Sequence, residues 1–113
     1  MPAKLSYIIE FVADMDRAVK FYRDVVGLPL RLQSPGWSEF ATGEVIFALH
    51  PASEKNPAGK LEMGFSVPDL RAFHRDMLAK GVTFPMTPTK QDFSGVLAQF
   101  MDSEGAYVSV SGK

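Results

Sequence analysis

The chain has 113 residues, of which 46% are hydrophobic and 22% charged, and its formal net charge is -1. This composition is typical of one folded domain and argues against a disordered chain, while the near-neutral charge offers no basic surface for nucleic acid. The sequence contains no cysteine, which excludes disulfides, thiolate nucleophiles and Cys-ligated metal sites. Because no apolar run approaches the ~20 residues that cross a bilayer and no signal-peptide pattern is present, we expect a cytoplasmic protein with no membrane partner.

A strand followed by a helix is predicted at the start of the chain. The residues before Val12 are apolar and β-prone, with Glu10 as a charged exception, which is typical of a buried strand. Asp14 is a good N-cap, and the apolar residues after it recur at helical spacing as far as Val25 and Val26. Gly27 is expected to end the helix.

Three further strands are expected after this helix, at about 30–34, 37–41 and 45–50. Residues 51–60 have the Pro, Ala, Ser and Gly content of a linker. The same order then returns: a strand at 61–67, a helix capped by Asp69 and ended by Gly81, and strands at 82–88, 96–101 and 107–111. Within this second half, the segment 86–95 is open to two interpretations, a mobile lid or a plain surface loop.

The two halves are therefore an internal repeat. Val12 and Val67 lie 55 residues apart, as do Asp14 and Asp69. The repeat predicts an α+β fold in which two tandem β-α-β-β-β modules, at about 5–50 and 61–111, form a single domain spanning 1–113. One domain is expected because a module of about 50 residues is marginally stable alone.

Two segments resemble a known family. "FVADMDRAVKFYRDVVGLPL" is similar to the opening of the vicinal-oxygen-chelate superfamily, the glyoxalase, bleomycin-resistance protein and dioxygenase group, and "FMDSEGAYVSV" is similar to its closing hairpin. The resemblance extends from about Leu5 to Val110. It implies that the modules form a half-barrel cleft, that the protein is a homodimer, and that a divalent metal binds four residues, from the first and last strand of each module.

The repeat places those four positions in this sequence. Alternation in the strand 61–67 turns Glu62 and Gly64 toward the cleft, and the 55-residue offset gives Tyr7 as the counterpart of Glu62. Aligning the hairpin glycines Gly43 and Gly105 gives the other two positions, Phe47 and Ser109. Only Glu62 is a good metal ligand, so we predict a metal-free protein with no cofactor, and glyoxalase or dioxygenase metal chemistry is disfavoured.

Ten residues are predicted to line a ligand-binding cleft: Tyr7, Ile9, Phe11, Phe40, Phe47, Glu62, Gly64, Phe100, Tyr107 and Ser109. Glu62 is the candidate catalytic base if the cleft raises its pKa, or else a solvated carboxylate paired with a residue such as Lys60. The aromatic members either stack on a ligand or fill the cleft themselves.

Four other residues receive structural interpretations. Alternation turns His50 to the face opposite Phe47. The parity of an even-length hairpin likewise excludes Trp37 and Glu39 from the Phe47 side, whereas an odd number of loop residues would reverse this. His74 is expected to be a half-buried packing residue on its helix.

The sequence favours a protein that binds a small organic molecule in an aromatic cleft without metal. The alternative is an enzyme, a glyoxalase-type lyase or isomerase or another member of the superfamily, with Glu62 as base and with or without a metal. A third hypothesis is an accessory domain whose cleft is collapsed.

Overall fold

The computed structural model of the chain describes residues 3–91 and 95–113. The chain divides into two compact units, Ser6–Glu62 and Met63–Lys113, the latter with the N-terminal residues through Leu5. Each unit corresponds closely to one predicted module, and we call residues 4–60 the first module and residues 61–113 the second, so that β1 and β5 are each kept whole.

The first module contains four strands and one helical stretch. In chain order these are β1 (Lys4–Val12), α1 (Met15–Lys20), a π-helical segment (Phe21–Val26), β2 (Leu30–Leu32), β3 (Ser38–Ala41) and β4 (Ile46–Pro51). The strands lie in the order β2-β3-β4-β1, with β1 parallel to β4 and the other pairs antiparallel.

The second module repeats this topology. Its elements are β5 (Leu61–Ser66), α2 (Leu70–Ala79), β6 (Met86–Lys90), β7 (Val96–Met101) and β8 (Tyr107–Gly112). The strands lie in the order β5-β8-β7-β6, with β5 parallel to β8. The predicted α+β class with two tandem β-α-β-β-β modules is confirmed.

One strand differs from its predicted position. The strand expected at 82–88 is β6, which begins at Met86 and therefore takes up half of the segment predicted to be a lid or a loop. That prediction is wrong for Met86–Lys90, and residues 92–94 of the segment lie outside the described residues.

Both helices begin at their predicted caps. The Asp14 carboxylate accepts a hydrogen bond from the Arg17 backbone N–H at 3.1 Å, and the Asp69 carboxylate accepts one from Ala72 at 3.0 Å. Each bond satisfies a backbone N–H group that has no partner within the helix. Gly27 closes the first helical stretch with a φ of 89°, a left-handed conformation that favours glycine.

The first helical stretch widens into a π-helix in its second half. The Gly27 N–H donates to the Tyr22 carbonyl at 3.0 Å, a bond that spans five residues. In this π-helical segment, Val25 is 72% and Val26 51% exposed. These two valines continue the apolar helical spacing seen in the sequence, but they do not extend the buried face of the helix.

Each module has a core between its helix and its sheet. Val12, Val19, Phe40 and Leu49 form the core of the first module, and Val67, Leu70, Ala98 and Val110 form that of the second. In the second module, His74 is half-buried and its ring centroid lies 4.6 Å from that of Phe84, so the prediction of a packing role is confirmed. Among the helices of the described ranges, none is long and apolar enough to cross a membrane.

Candidate ligand-binding site

The two hairpin loops decide which side chains face away from the helices. Ala41 pairs with Ile46 across a loop of four residues, 42–45, whereas Met101 pairs with Tyr107 across a loop of five, 102–106. Aligning the hairpin glycines therefore shifts the two closing strands by one residue, and a one-residue shift moves every side chain to the opposite face.

The strand pairing gives the corrected counterparts. Gly64 pairs with Ser109 in the second module, and its repeat counterpart Ile9 pairs with Ala48 in the first. Ala48, not Phe47, is therefore the first-module equivalent of Ser109, and the sequence-based assignment of Phe47 to the cleft face is wrong.

Phe40 and Phe47 belong to the helix-side core of the first module instead. Phe40 is fully buried, and the Phe47 ring stacks 5.9 Å from it and 4.7 Å from the Tyr22 ring of the π-helical segment. Phe100 lies on the corresponding side of the second module, 6.0 Å from both Phe73 and Phe84. These three predicted cleft aromatics fill helix-side cores.

Tyr7, Ile9 and Phe11 lie together on the other face of the first module's sheet, with Ala48. The neighbouring strands and loop supply three further side chains, Trp37, Glu39 and His50. We call these three, together with Tyr7 and Phe11, the aromatic face. The Trp37 ring lies 6.0 Å from that of Tyr7 and 6.3 Å from that of His50, edge-on in both cases. His50 also meets Phe11, at 5.4 Å.

A shielded carboxylate lies beside these rings. Only 13% of the Glu39 side chain is exposed, and its Oε2 accepts a hydrogen bond from the indole Nε1 of Trp37 at 2.7 Å. Its other oxygen, Oε1, lies 3.7 Å from Nε of the exposed Arg31, an ion-pair distance too long for a hydrogen bond. One carboxylate oxygen is thus fixed, and the other retains capacity to accept a hydrogen bond.

Tyr7 remains a neutral donor next to this carboxylate. Burial and, secondarily, the negative charge of Glu39 raise the pKa of the Tyr7 hydroxyl, and Arg31 partly opposes them. A neutral phenol and a carboxylate together present both donor and acceptor to a bound molecule.

Sequence reasoning assigned Phe47 to the cleft face. Because Trp37, Glu39 and His50 lie on the opposite face of the strands, it placed them away from the cleft. The parity itself is confirmed, since Ser38 and Phe40 do lie on the Phe47 side. A usable signal was present in β4, where Phe47 and Leu49 are larger and more apolar than Ala48 and His50. The rule that turned the apolar residues of β5 toward the helix assigns Phe47 and Leu49 to the helix as well.

In the second module, the side chains of β5 alternate between the two faces of the sheet as predicted. Phe65 and Val67 pack with the helix-side core, so Glu62 and Gly64 belong to the opposite face. Tyr107 and Ser109 share that face by their pairing with Met101 and Gly64. The roles of these four residues in binding remain predictions.

Glu62 is a buried carboxylate, 6% exposed, and not a solvated one. Lys60, the pairing partner that the sequence suggests for it, donates instead to Asn56 Oδ1 at 2.8 Å.

Metal-ligating side chains are scarce at the four family positions. With the corrected register, these positions hold Tyr7 and Ala48 in the first module and Glu62 and Ser109 in the second, and only Glu62 is a strong ligand type. In the described part of the chain, no group of three or more His, Cys, Asp or Glu side chains is placed to hold an ion.

The chain belongs to the Glyoxalase/Bleomycin resistance protein/Dioxygenase superfamily, whose family model matches residues 4–110. No curated protein is significantly similar to the chain in sequence.

Solved structures show the same fold at low identity. A hypothetical protein, BH1468 from Bacillus halodurans C-125, superposes with a TM-score of 0.80 at 20% identity, covering 100% of this chain and 96% of that one. Methylmalonyl-CoA epimerase from Mycobacterium tuberculosis gives 0.76 at 20% identity, covering 96% and 87%. A superfamily member from Vibrio splendidus 12B01 gives 0.71 at 11% identity, covering 99% and 100%.

Proposed function

We propose that this protein binds a small organic molecule on the aromatic face of its first module, without a divalent metal. The observation that carries the proposal is the Glu39 carboxylate, shielded from solvent and oriented by the Trp37 indole at 2.7 Å. Shielding a carboxylate from water costs desolvation free energy. A ligand that donates a hydrogen bond to the carboxylate would offset that cost.

The surrounding side chains define the ligand class. Tyr7 and Trp37, both partly exposed, offer ring surfaces and edges that favour a planar apolar or aromatic molecule, and the buried Phe11 packs behind them. Glu39 favours an N–H or O–H donor on that molecule, and the neutral Tyr7 hydroxyl favours an acceptor. A planar heterocycle that carries both donor and acceptor groups satisfies all three requirements.

The proposal of a metal-free site rests on the donor set. One carboxylate with a phenol, an alanine and a serine is too weak a set for zinc, iron or magnesium. Saturating zinc, nickel, manganese or iron should therefore leave the melting temperature unchanged, because stabilisation follows the free ligand concentration relative to Kd. A stoichiometric ion lost on Glu62→Gln substitution would contradict this.

Binding is tested by a thermal-shift screen of planar heterocycles, followed by titration of the best compound. Glu39→Gln keeps the size and removes the charge, and we expect it to weaken binding by about tenfold, the loss of one hydrogen bond to a charged group. Glu44→Gln, in the exposed hairpin loop, is the matched control and should bind like the wild type. Equal affinity in all three proteins would exclude the aromatic face as the site.

An enzyme with a carboxylate base is the second candidate. The buried Glu62 favours it, because a carboxylate on the sheet face opposite the helix is a side chain of the type that acts as a general base. Methylmalonyl-CoA epimerases are among the structures with this fold, so methylmalonyl-CoA in D2O is a suitable probe. Deuterium incorporation that disappears in Glu62→Gln would support the enzyme, and no incorporation would exclude epimerisation of this substrate.

We also propose a homodimer. The sheet of the first module ends at β2, a strand of three residues whose Leu32 is 48% exposed, and unpaired strand edges favour association with a second copy. Light scattering during size-exclusion chromatography should give twice the chain mass. A monomer mass that does not change with concentration would contradict the dimer.

A further inference from the structure

A cavity lies at the end of β1 in the first module, beside the helical stretch, and Phe11 is the one residue of the aromatic face among its lining residues. It has a volume of about 390 Å³ and is open to solvent, between the end of β1, the helical stretch and Ala58–Gly59. This volume is at the lower end of the about 300–1,000 Å³ typical of small-molecule sites.

Glu10 supplies a negative charge to this cavity. Its Oε1 accepts a hydrogen bond of 2.5 Å from the Tyr22 hydroxyl, and both residues line the cavity. Tyr22 is the one hydrogen-bond or ion-pair partner of the Glu10 side chain within residues 3–91 and 95–113. The bond therefore orients the carboxylate and leaves its other oxygen able to accept a hydrogen bond from a ligand.

Aromatic rings accompany that charge. The Phe21 and Tyr22 rings meet edge-on at 5.2 Å, both line the cavity, and Phe21 is 50% exposed. A carboxylate next to aromatic rings is a favourable environment for an organic ammonium group, which gains both an ion pair and cation–π attraction.

Arg17 provides the opposite charge on the same cavity. Its guanidinium is exposed, and it forms no ion pair with any carboxylate of the described residues. A guanidinium binds a carboxylate through two parallel hydrogen bonds, a geometry that fits an α-carboxylate. The remaining wall is apolar, with Val12 and Ala18 among its residues.

From this combination we infer that the cavity binds a small zwitterion, a free amino acid with an apolar side chain. The ammonium group lies at Glu10 and the aromatic rings, the carboxylate at Arg17, and the side chain against the apolar wall. A metal ion is disfavoured as the occupant, because the other carboxylate on the cavity, Asp14, already caps α1, and Arg17 repels cations.

The test uses the full-length protein and L-leucine as the probe, with chemical-shift changes of the backbone amides as the readout. Two truncated probes, 4-methylpentanoate and 3-methylbutylamine, lack the ammonium and the carboxylate respectively. We expect L-leucine to shift amides around the cavity and each truncated probe to bind at least about tenfold more weakly, since each loses one ion pair.

Two substitutions test the two charges separately. Glu10→Gln and Arg17→Gln should each weaken L-leucine binding by about tenfold, whereas Glu44→Gln and Arg71→Gln, exposed residues of the same types outside the cavity, should not. Arg17 is exposed, so its substitution also tests the site if Glu10→Gln impairs folding. About 20 mM L-leucine would nearly saturate a site with a Kd of about 1 mM. Absence of shifts at this concentration, or unchanged binding in Arg17→Gln, overturns the proposal.

Discussion

Phe47 shows how a single residue separates a ligand-binding role from a packing role. Its ring lies 4.7 Å from Tyr22 and 5.9 Å from the fully buried Phe40, and it packs against the core that contains Val19. A side chain in this environment contributes to stability through the apolar surface that it buries.

Replacing Phe47 with alanine should therefore lower the free energy of unfolding by about 3 kcal/mol. This value is the lower end of the stability losses typical of core Phe→Ala substitutions, because the Phe47 ring is only partly buried. Urea denaturation measures the change. Val25→Ala, at a side chain that is 72% exposed, is the control and should change stability by less than about 0.5 kcal/mol. Weakened ligand binding in Phe47→Ala without a stability loss would return this residue to the binding site.

Tyr22 gives a prediction for alkaline pH. Burial, followed by the hydrogen bond to Glu10 and the charge of Glu10, raises the pKa of the Tyr22 hydroxyl from 10.0 to about 12. A group whose pKa is higher in the folded state stabilises the fold below its unfolded pKa, and this contribution disappears as the pH rises through the folded pKa.

The stability of the wild type should therefore fall between about pH 10 and pH 12 as this contribution is lost. Tyr22→Phe cannot lose the proton, so we expect it to be less stable at neutral pH and to show a smaller decrease over that interval. Denaturation midpoints measured at several pH values give both slopes, and parallel slopes would contradict the role of Tyr22.

At the scale of the elements, the helix caps were predicted correctly and the face of β4 was predicted wrongly, and hairpin loop length explains the difference. Helix caps at Asp14 and Asp69 and the β5 alternation were predictable, because each depends on a few neighbouring residues. The face of β4 was predicted wrongly because the hairpin glycines lie at different positions in loops of four and five residues, although the alternation of Phe47 and Leu49 with smaller or polar residues indicates the correct face. The π-helical turn was also unpredicted, since nothing in helical spacing alone indicates a bond from Gly27 to Tyr22.

Strand β8 contains a tight contact that substitution can test. A Cβ atom on Gly112 would lie 2.5 Å from the Val67 carbonyl oxygen and 3.3 Å from the Leu70 backbone nitrogen. Gly112→Ala should therefore displace the end of β8 and lower stability by about 1–3 kcal/mol, a typical cost of overpacking. Gly36→Ala is the control, because its Cβ meets nothing within 4 Å. Equal thermal stability of the two variants would contradict this contact.

At the scale of the whole molecule, the internal repeat was the strongest predictor of fold. It indicated two modules with the same strand order, and both the topology and the family match bear this out. The repeat predicted the site less well, because the two copies differ in the residues that matter: Tyr7 corresponds to Glu62, and Ala48 to Ser109. A fold signal depends on apolar spacing that both copies keep, whereas a site depends on individual side chains that each copy changes.

The most direct test of the account uses Trp37, the one tryptophan in the sequence, which lies at the centre of the aromatic face. Titration of a planar heterocycle selected by thermal shift should change its fluorescence saturably, identically with and without EDTA, and with about tenfold weaker affinity in Glu39→Gln. A fluorescence change that requires added metal, or no change while the compound binds, would contradict a metal-free ligand site on this face.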